Sequence, residues 1–112
     1  MKFYGLKTCD TCRKAQKELR AAGHEFDVID VRADGVSAEK LAAWAGKVDW
    51  NSLLNTRSTT WRGLDESEKT GVDQAKAIAL MAENPTLIKR PVIEKDGVVY
   101  VGWKADTKAA VL

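Results

Sequence analysis

The sequence predicts an α/β protein whose small sheet is interrupted by a helical segment. Three observations carry this. Residues 2–31 run from a β-rich to a helical to a second β-rich pattern. Residues 37–84 hold capped helical stretches. Asp96-Gly97 then separates two apolar β-rich runs, a strong short-range hairpin signal.

Residues 2–6 are partly aromatic and end in Lys7-Thr8, which reads as a first strand. Cys12, Ala15, Leu19 and Ala22 follow at spacings of three, four and three, one apolar stripe on a helix. Arg13, Lys14, Lys17, Glu18 and Arg20 decorate its other faces. Thr8 or Cys9 falls at the N-cap, Asp10 suits the first turn, and Gly23 suits a left-handed stop. Residues 25–31 form the second strand. Strand, helix, strand within so short a span implies a parallel pair. Ser37 is the expected cap of a helix through Trp44 to Gly46, a short helix spans Trp50 to Leu54, and Asp73 caps a third that runs to Glu83 before Asn84-Pro85. Pro91 opens the β-rich stretch, where its missing donor is tolerated. Asp106 is the expected cap of a last helix reaching Leu112. The order β-α-β, helical insert over 37–84, β-β-α is that of a thioredoxin-like (glutaredoxin-like) core, read as a single domain over 1–112.

The chain has 112 residues, 45% hydrophobic and 30% charged, the composition of a globular protein large enough to close one core. No apolar run approaches the length of a membrane span and the N-terminus lacks a signal-peptide pattern, so the expectation is a cytoplasmic protein without membrane contact. A net charge of +2 gives no reason to expect direct nucleic-acid binding. One histidine and two cysteines fall short of a zinc ligand set, so no metal is expected. His24 is not expected to act as a catalytic base, since it starts the second strand at the end away from the cysteines.

The chemistry lies in Cys9-Asp10-Thr11-Cys12, at the first strand-to-helix turn. A free thiol is only about 3% thiolate at pH 7. Unpaired N–H groups and the dipole at a helix N-terminus favour the anion. Cys9 sits at the exposed end and is the expected nucleophile. Cys12 is one turn in, on the apolar stripe. It is either a resolving thiol or a small core residue. Arg13 lies within helical reach of Cys9. Asp10 opposes the thiolate if its charge points at the sulfur, and otherwise stabilises the first turn.

From Tyr4 to Ala15 the sequence resembles the opening of the ArsC/Spx family. Leu53-Leu54-Asn55-Thr56-Arg57-Ser58-Thr59-Thr60-Trp61-Arg62, with Leu64-Asp65-Glu66, is similar to its middle motif. Ile88-Lys89-Arg90-Pro91-Val92 is similar to its Arg-Pro motif and Val101-Gly102-Trp103 to its closing strand. The middle motif most resembles the YffB-like branch of small glutathione-dependent thiol reductases. The resemblance implies that Cys9 is the nucleophile, that Arg13 assists it, and that Arg90 precedes a cis Pro91 and points at the cysteine. The arsenate reductases of the family carry a further arginine near the last strand, where this chain reads Tyr100-Val101-Gly102-Trp103. They usually lack a cysteine matching Cys12, which is shared instead with Spx-type regulators.

The expected activity is therefore a thiol-disulfide oxidoreductase. Cys9, Cys12, Arg13 and Arg90 are the catalytic candidates. Thr8, Arg57, Arg62 and Pro91 are candidates for binding a small disulfide or oxyanion, arsenate included. Arginine forks suit the carboxylates of glutathione and oxyanions alike. Glutathione is the expected co-substrate, or glutaredoxin or thioredoxin the partner, and no bound cofactor is implied. The alternative is an Spx-like redox sensor that binds RNA polymerase. Trp44, Trp50 and Trp61 are expected in the core, with Trp61 and Trp103 also able to wall the site.

Overall fold

The computed structural model describes residues 1–112. The chain forms two compact units, one from Met1–Asp34 with Arg90–Leu112 and one from Gly35–Lys89.

The first unit holds the sheet. Strands β1 (Lys2–Gly5), β2 (Asp27–Asp30), β3 (Val92–Lys95) and β4 (Val98–Val101) lie in the order β2-β1-β3-β4. β1 pairs parallel with β2, Phe3 opposite Val28, and antiparallel with β3, Phe3 opposite Ile93. β3 and β4 are the expected hairpin. Asp96 and Gly97 at its tip both take positive φ, 52° and 77°, the type I′ geometry that matches strand twist.

Helix α1 (Asp10–Ala21) follows β1. Its buried residues are Cys12, Ala15 and Leu19. The expected fourth member of the stripe, Ala22, is exposed. It lies past the last helical residue, where the chain turns out. Gly23 takes φ +85°. The Gly23 N–H donates to Arg20 O at 3.0 Å and the His24 N–H to Leu19 O at 3.1 Å, which is a Schellman ending. Phe3, Cys12, Ala15, Leu19, Ile93, Trp103 and Val111 form the core of this unit. Trp103 lies beyond β4, which ends at Val101, so it is a core residue and does not end the strand.

β2 is shorter than expected because Val31 opens a one-turn helix, α2 (Val31–Asp34). Asp30 caps it, Oδ1 accepting from the Arg32 and Ala33 N–H groups at 2.9 and 3.0 Å. The last helix of this unit, Ala105–Val111, has Lys104 at its N-cap. Asp106 sits inside its first turn, where it still suits the helix dipole. That corrects the expected cap by two residues.

The second unit is helical: α3 (Ala38–Ala45), α4 (Trp50–Leu53), α5 (Thr59–Arg62), α6 (Glu66–Lys69) and α7 (Gln74–Glu83). The Ala105–Val111 helix is thus α8. Ser37 caps α3 through the Lys40 N–H at 3.1 Å, and Asp73 caps α7 through the Lys76 N–H at 2.9 Å. α3 packs on α7 through Leu41, Trp44, Ala77, Leu80 and Met81. Trp44 is buried as expected, whereas Trp50 and Trp61 are half-buried. A 3₁₀ turn at Pro85–Leu87 leads to a single bridge between Leu54 and Ile88. No helix is long and apolar enough to cross a membrane.

Candidate functional site

The site is built where β1 turns into α1. The Cys9 N–H donates to Leu6 O at 3.2 Å, which tightens the turn. Cys9 takes extended angles as the N-cap of α1, and its carbonyl receives the first helical bond from the Arg13 N–H at 3.0 Å. Its side chain is half-buried against the core of the first unit. Cys12 is fully buried. Both cysteines are free thiols.

Burial is the largest single effect on the Cys9 thiol and opposes its ionisation. Three donors together outweigh it: the backbone N–H of Cys12, the thiol of Cys12, and the Arg90 guanidinium, which adds its charge. Cys9 is therefore held below the ordinary thiol value of 9.0. Cys12 goes the other way. Burial first, then its contact with Cys9, push its thiol up to about 12, against the Leu6 N–H and the Arg90 charge. The two sulfurs lie in opposed environments: Cys9 is the more readily ionised of the pair, and Cys12 the one held protonated.

Arg90 reaches Cys9 from the start of β3. The Arg90-Pro91 peptide is cis, as the resemblance implied. The Pro91 carbonyl accepts from the Gly102 N–H at 2.8 Å. That bond ties the segment carrying Arg90 to the residue after β4. Gly102 has φ +87°, a region in which L side chains are strained.

The expected role of Arg13 meets a different geometry. Its guanidinium pairs with Asp10, and both side chains are largely exposed. Asp10 is thus neutralised by Arg13, and Arg90 supplies the cation at the sulfur. Thr8 is exposed and Pro91 buried, both in this unit. Arg57 and Arg62 belong to the helical unit, where both are exposed and Arg62 Nη2 donates to Arg57 O at 3.2 Å.

Two residues of the site escaped the sequence reading. Leu6 supplies the N–H that faces the Cys12 sulfur. Gly5 leaves the room in which that sulfur sits: a Cβ there would lie 2.9 Å from Cys12 Sγ and 2.9 Å from Phe3 Cε1. A glycine inside a strand was the available signal of a close approach. No group of three or more His, Cys, Asp or Glu side chains converges as a metal site would need.

A model of the ArsC family matches residues 4–111. The chain belongs to the ArsC family. A solved structure titled "YFFB (PA3664) protein" is 43% identical, covers 99% of this chain and 97% of its own, and superposes with a TM-score of 0.94. A solution structure of an arsenate reductase (ArsC) related protein from Brucella melitensis is 39% identical, covers 97% and 91%, and has a TM-score of 0.77. An uncharacterized Haemophilus influenzae protein is 45% identical over 89% of this chain and 88% of its own. The global transcriptional regulator Spx 2 of Lactococcus lactis is 25% identical over 98% of this chain and 84% of its own. ArsC membership and the thioredoxin-like sheet agree with the fold read from the sequence. With a cysteine at the N-terminus of α1, they support a thiol-based reductase.

Proposed function

We propose that this ArsC-family chain is a glutathione-dependent thiol reductase with Cys9 as its nucleophile. The observation that carries the reading is Cys9 at the N-cap of α1, held below its ordinary pKa, against its burial, by donors from Cys12 and then Arg90. The Cys9 thiolate attacks one sulfur of a disulfide. A Cys9–substrate disulfide forms, and the second sulfur leaves as a thiolate stabilised by Arg90. A thiol of the glutathione class then attacks the mixed disulfide. It leaves as the oxidised partner and returns Cys9 as thiolate. Cys12 stays protonated near neutral pH in the free protein and serves as donor to Cys9. Cytoplasmic residence follows from the need for a reduced thiol pool.

The test has two parts. The first is the pH dependence of Cys9 alkylation in a Cys12→Ser background, with and without Arg90→Ala. The second is a glutathione-coupled assay with hydroxyethyl disulfide, run beside arsenate. A midpoint below 9.0 that rises without Arg90, with disulfide turnover, supports the reading. A midpoint at or above 9.0 overturns it. Turnover of arsenate at a matching rate would extend the substrate class to oxyanions.

A second reading is a redox-responsive regulator that binds RNA polymerase. It draws on the adjacent cysteine pair and on relatives named as Spx regulators. Capture of polymerase from an extract in a reductant-dependent manner, without disulfide turnover, would favour it.

A further inference from the structure

The outward face of α1 is unusually cationic. Cys12, Ala15 and Leu19 fix its buried side. At the helical step of 3.6 residues per turn, Arg13, Lys14, Lys17 and Arg20 fall together on the opposite side, within an arc of about 120°. All four are exposed. The two carboxylates of α1 are already engaged. Asp10 is paired with Arg13. Glu18 borders this face one turn from Lys14, whose charge reaches it, but its carboxylate is engaged on the other side: it accepts from the Trp103 indole and lies 3.5 Å from Lys108 Nζ. Arg20 rests over the Phe26 ring at 5.3 Å, which holds it in place. Lys14 and Lys17 form no ion pair. The face begins one helical turn from Cys9.

We propose that this face docks an acidic protein segment that presents a disulfide to Cys9. The proposal rests on the reductase reading above and names its substrate class. The argument is charge complementarity beside a nucleophile. Four cations against two carboxylates that are each already paired, Asp10 with Arg13 and Glu18 with Lys108, attract an anionic partner over a range of about 10 Å. They raise the encounter rate more than the affinity. A nucleic acid is disfavoured, because four cations on one helix fall short of the roughly six to ten phosphate contacts of such a surface. It also offers nothing to a thiolate.

The probe is a synthetic peptide whose one cysteine carries a thionitrobenzoate mixed disulfide, flanked by four glutamates. A twin has glutamines in their place. Attack by Cys9 forms the Cys9–peptide disulfide and releases one coloured thionitrobenzoate anion. At low ionic strength the acidic peptide should react roughly tenfold faster than its twin. The advantage should vanish in 0.5 M salt and in a Lys14→Ala/Lys17→Ala variant, while the rate with the twin stays unchanged. Equal rates for the two peptides, or an advantage that survives both treatments, overturn the docking proposal. If neither peptide reacts, the reductase reading fails instead. Docking is then judged by fluorescence anisotropy of serine-for-cysteine versions of both peptides. Preference for the acidic one, lost with Lys14 and Lys17, sustains the surface. Tighter binding of a short DNA duplex reassigns it to nucleic acid.

Discussion

At the scale of single residues, the chemistry depends on which donors face which sulfur. Arg90→Ala removes a charged donor from Cys9, an interaction typically worth about 1.5–3 kcal/mol. Thiolate-dependent turnover at pH 7 should fall roughly tenfold or more, with the alkylation midpoint shifted upward. Cys9→Ser should abolish turnover. Cys12→Ser should keep most of it, because a hydroxyl donates as the thiol does, whereas Cys12→Ala should raise the Cys9 midpoint. Trapped mixed disulfide in Cys12→Ser under excess glutathione would show instead that Cys12 resolves. Gly5→Ala places a methyl against Cys12 and Phe3. It should destabilise by about 1–3 kcal/mol, read as a lower denaturation midpoint. Cys9 and Cys12 were legible in the sequence because two cysteines three apart at a β-to-α turn have few other uses. Gly5 and Leu6 were not, because their roles depend on how closely β1 passes α1. The pairing of Arg13 with Asp10 was not foreseen, for a simple reason. Cys9 and Asp10 are both within its reach, and a carboxylate one turn away is the stronger partner for an exposed guanidinium.

At the scale of elements, caps decide where helices begin and end. Ser37→Ala and Asp73→Ala each lose a side-chain acceptor for a backbone N–H. Each should cost about 1 kcal/mol, measured by urea denaturation, and should leave Cys9 reactivity unchanged. Gly23→Ala forces a Cβ into φ +85° and should cost about 1 kcal/mol through the end of α1. Elements with a cap and a periodic stripe were readable: α1, α3 and α7 were placed to within a residue or two. The hairpin was equally plain, because its tip needs two residues that tolerate positive φ. The one-turn helices α2, α5 and α6 left no pattern, since four residues complete barely one period. Asp106 was taken for a cap by residue type alone, whereas the backbone of Lys104 already sits in the capping conformation.

At the scale of the whole molecule, the two thiols pull stability in opposite directions with pH. Cys12 is pushed up to about 12. A group kept protonated by the fold stabilises it fully below its unfolded value, near 9, and that contribution fades as pH rises toward 12. Cys9, held low, contributes above the unfolded value and loses that contribution as pH falls through its folded one. Above pH 9 the Cys12 effect therefore remains, with a slope of up to about 1.4 kcal/mol per pH unit. Urea midpoints should drop between pH 9 and 12, and Cys12→Ser should flatten that drop. The overall order of elements was legible from the chain because each half of the sheet carries its own local signal. The pairing of β1 with β3 has no local signal. It joins Phe3 to Ile93, and its consequence reaches back to synthesis. A ribosome adding roughly 5–20 residues per second takes several seconds to travel from one partner to the other. Throughout that interval the first strand has an open edge and no antiparallel neighbour. Both cysteines are already translated, and the arginine that helps hold Cys9 low has yet to be made.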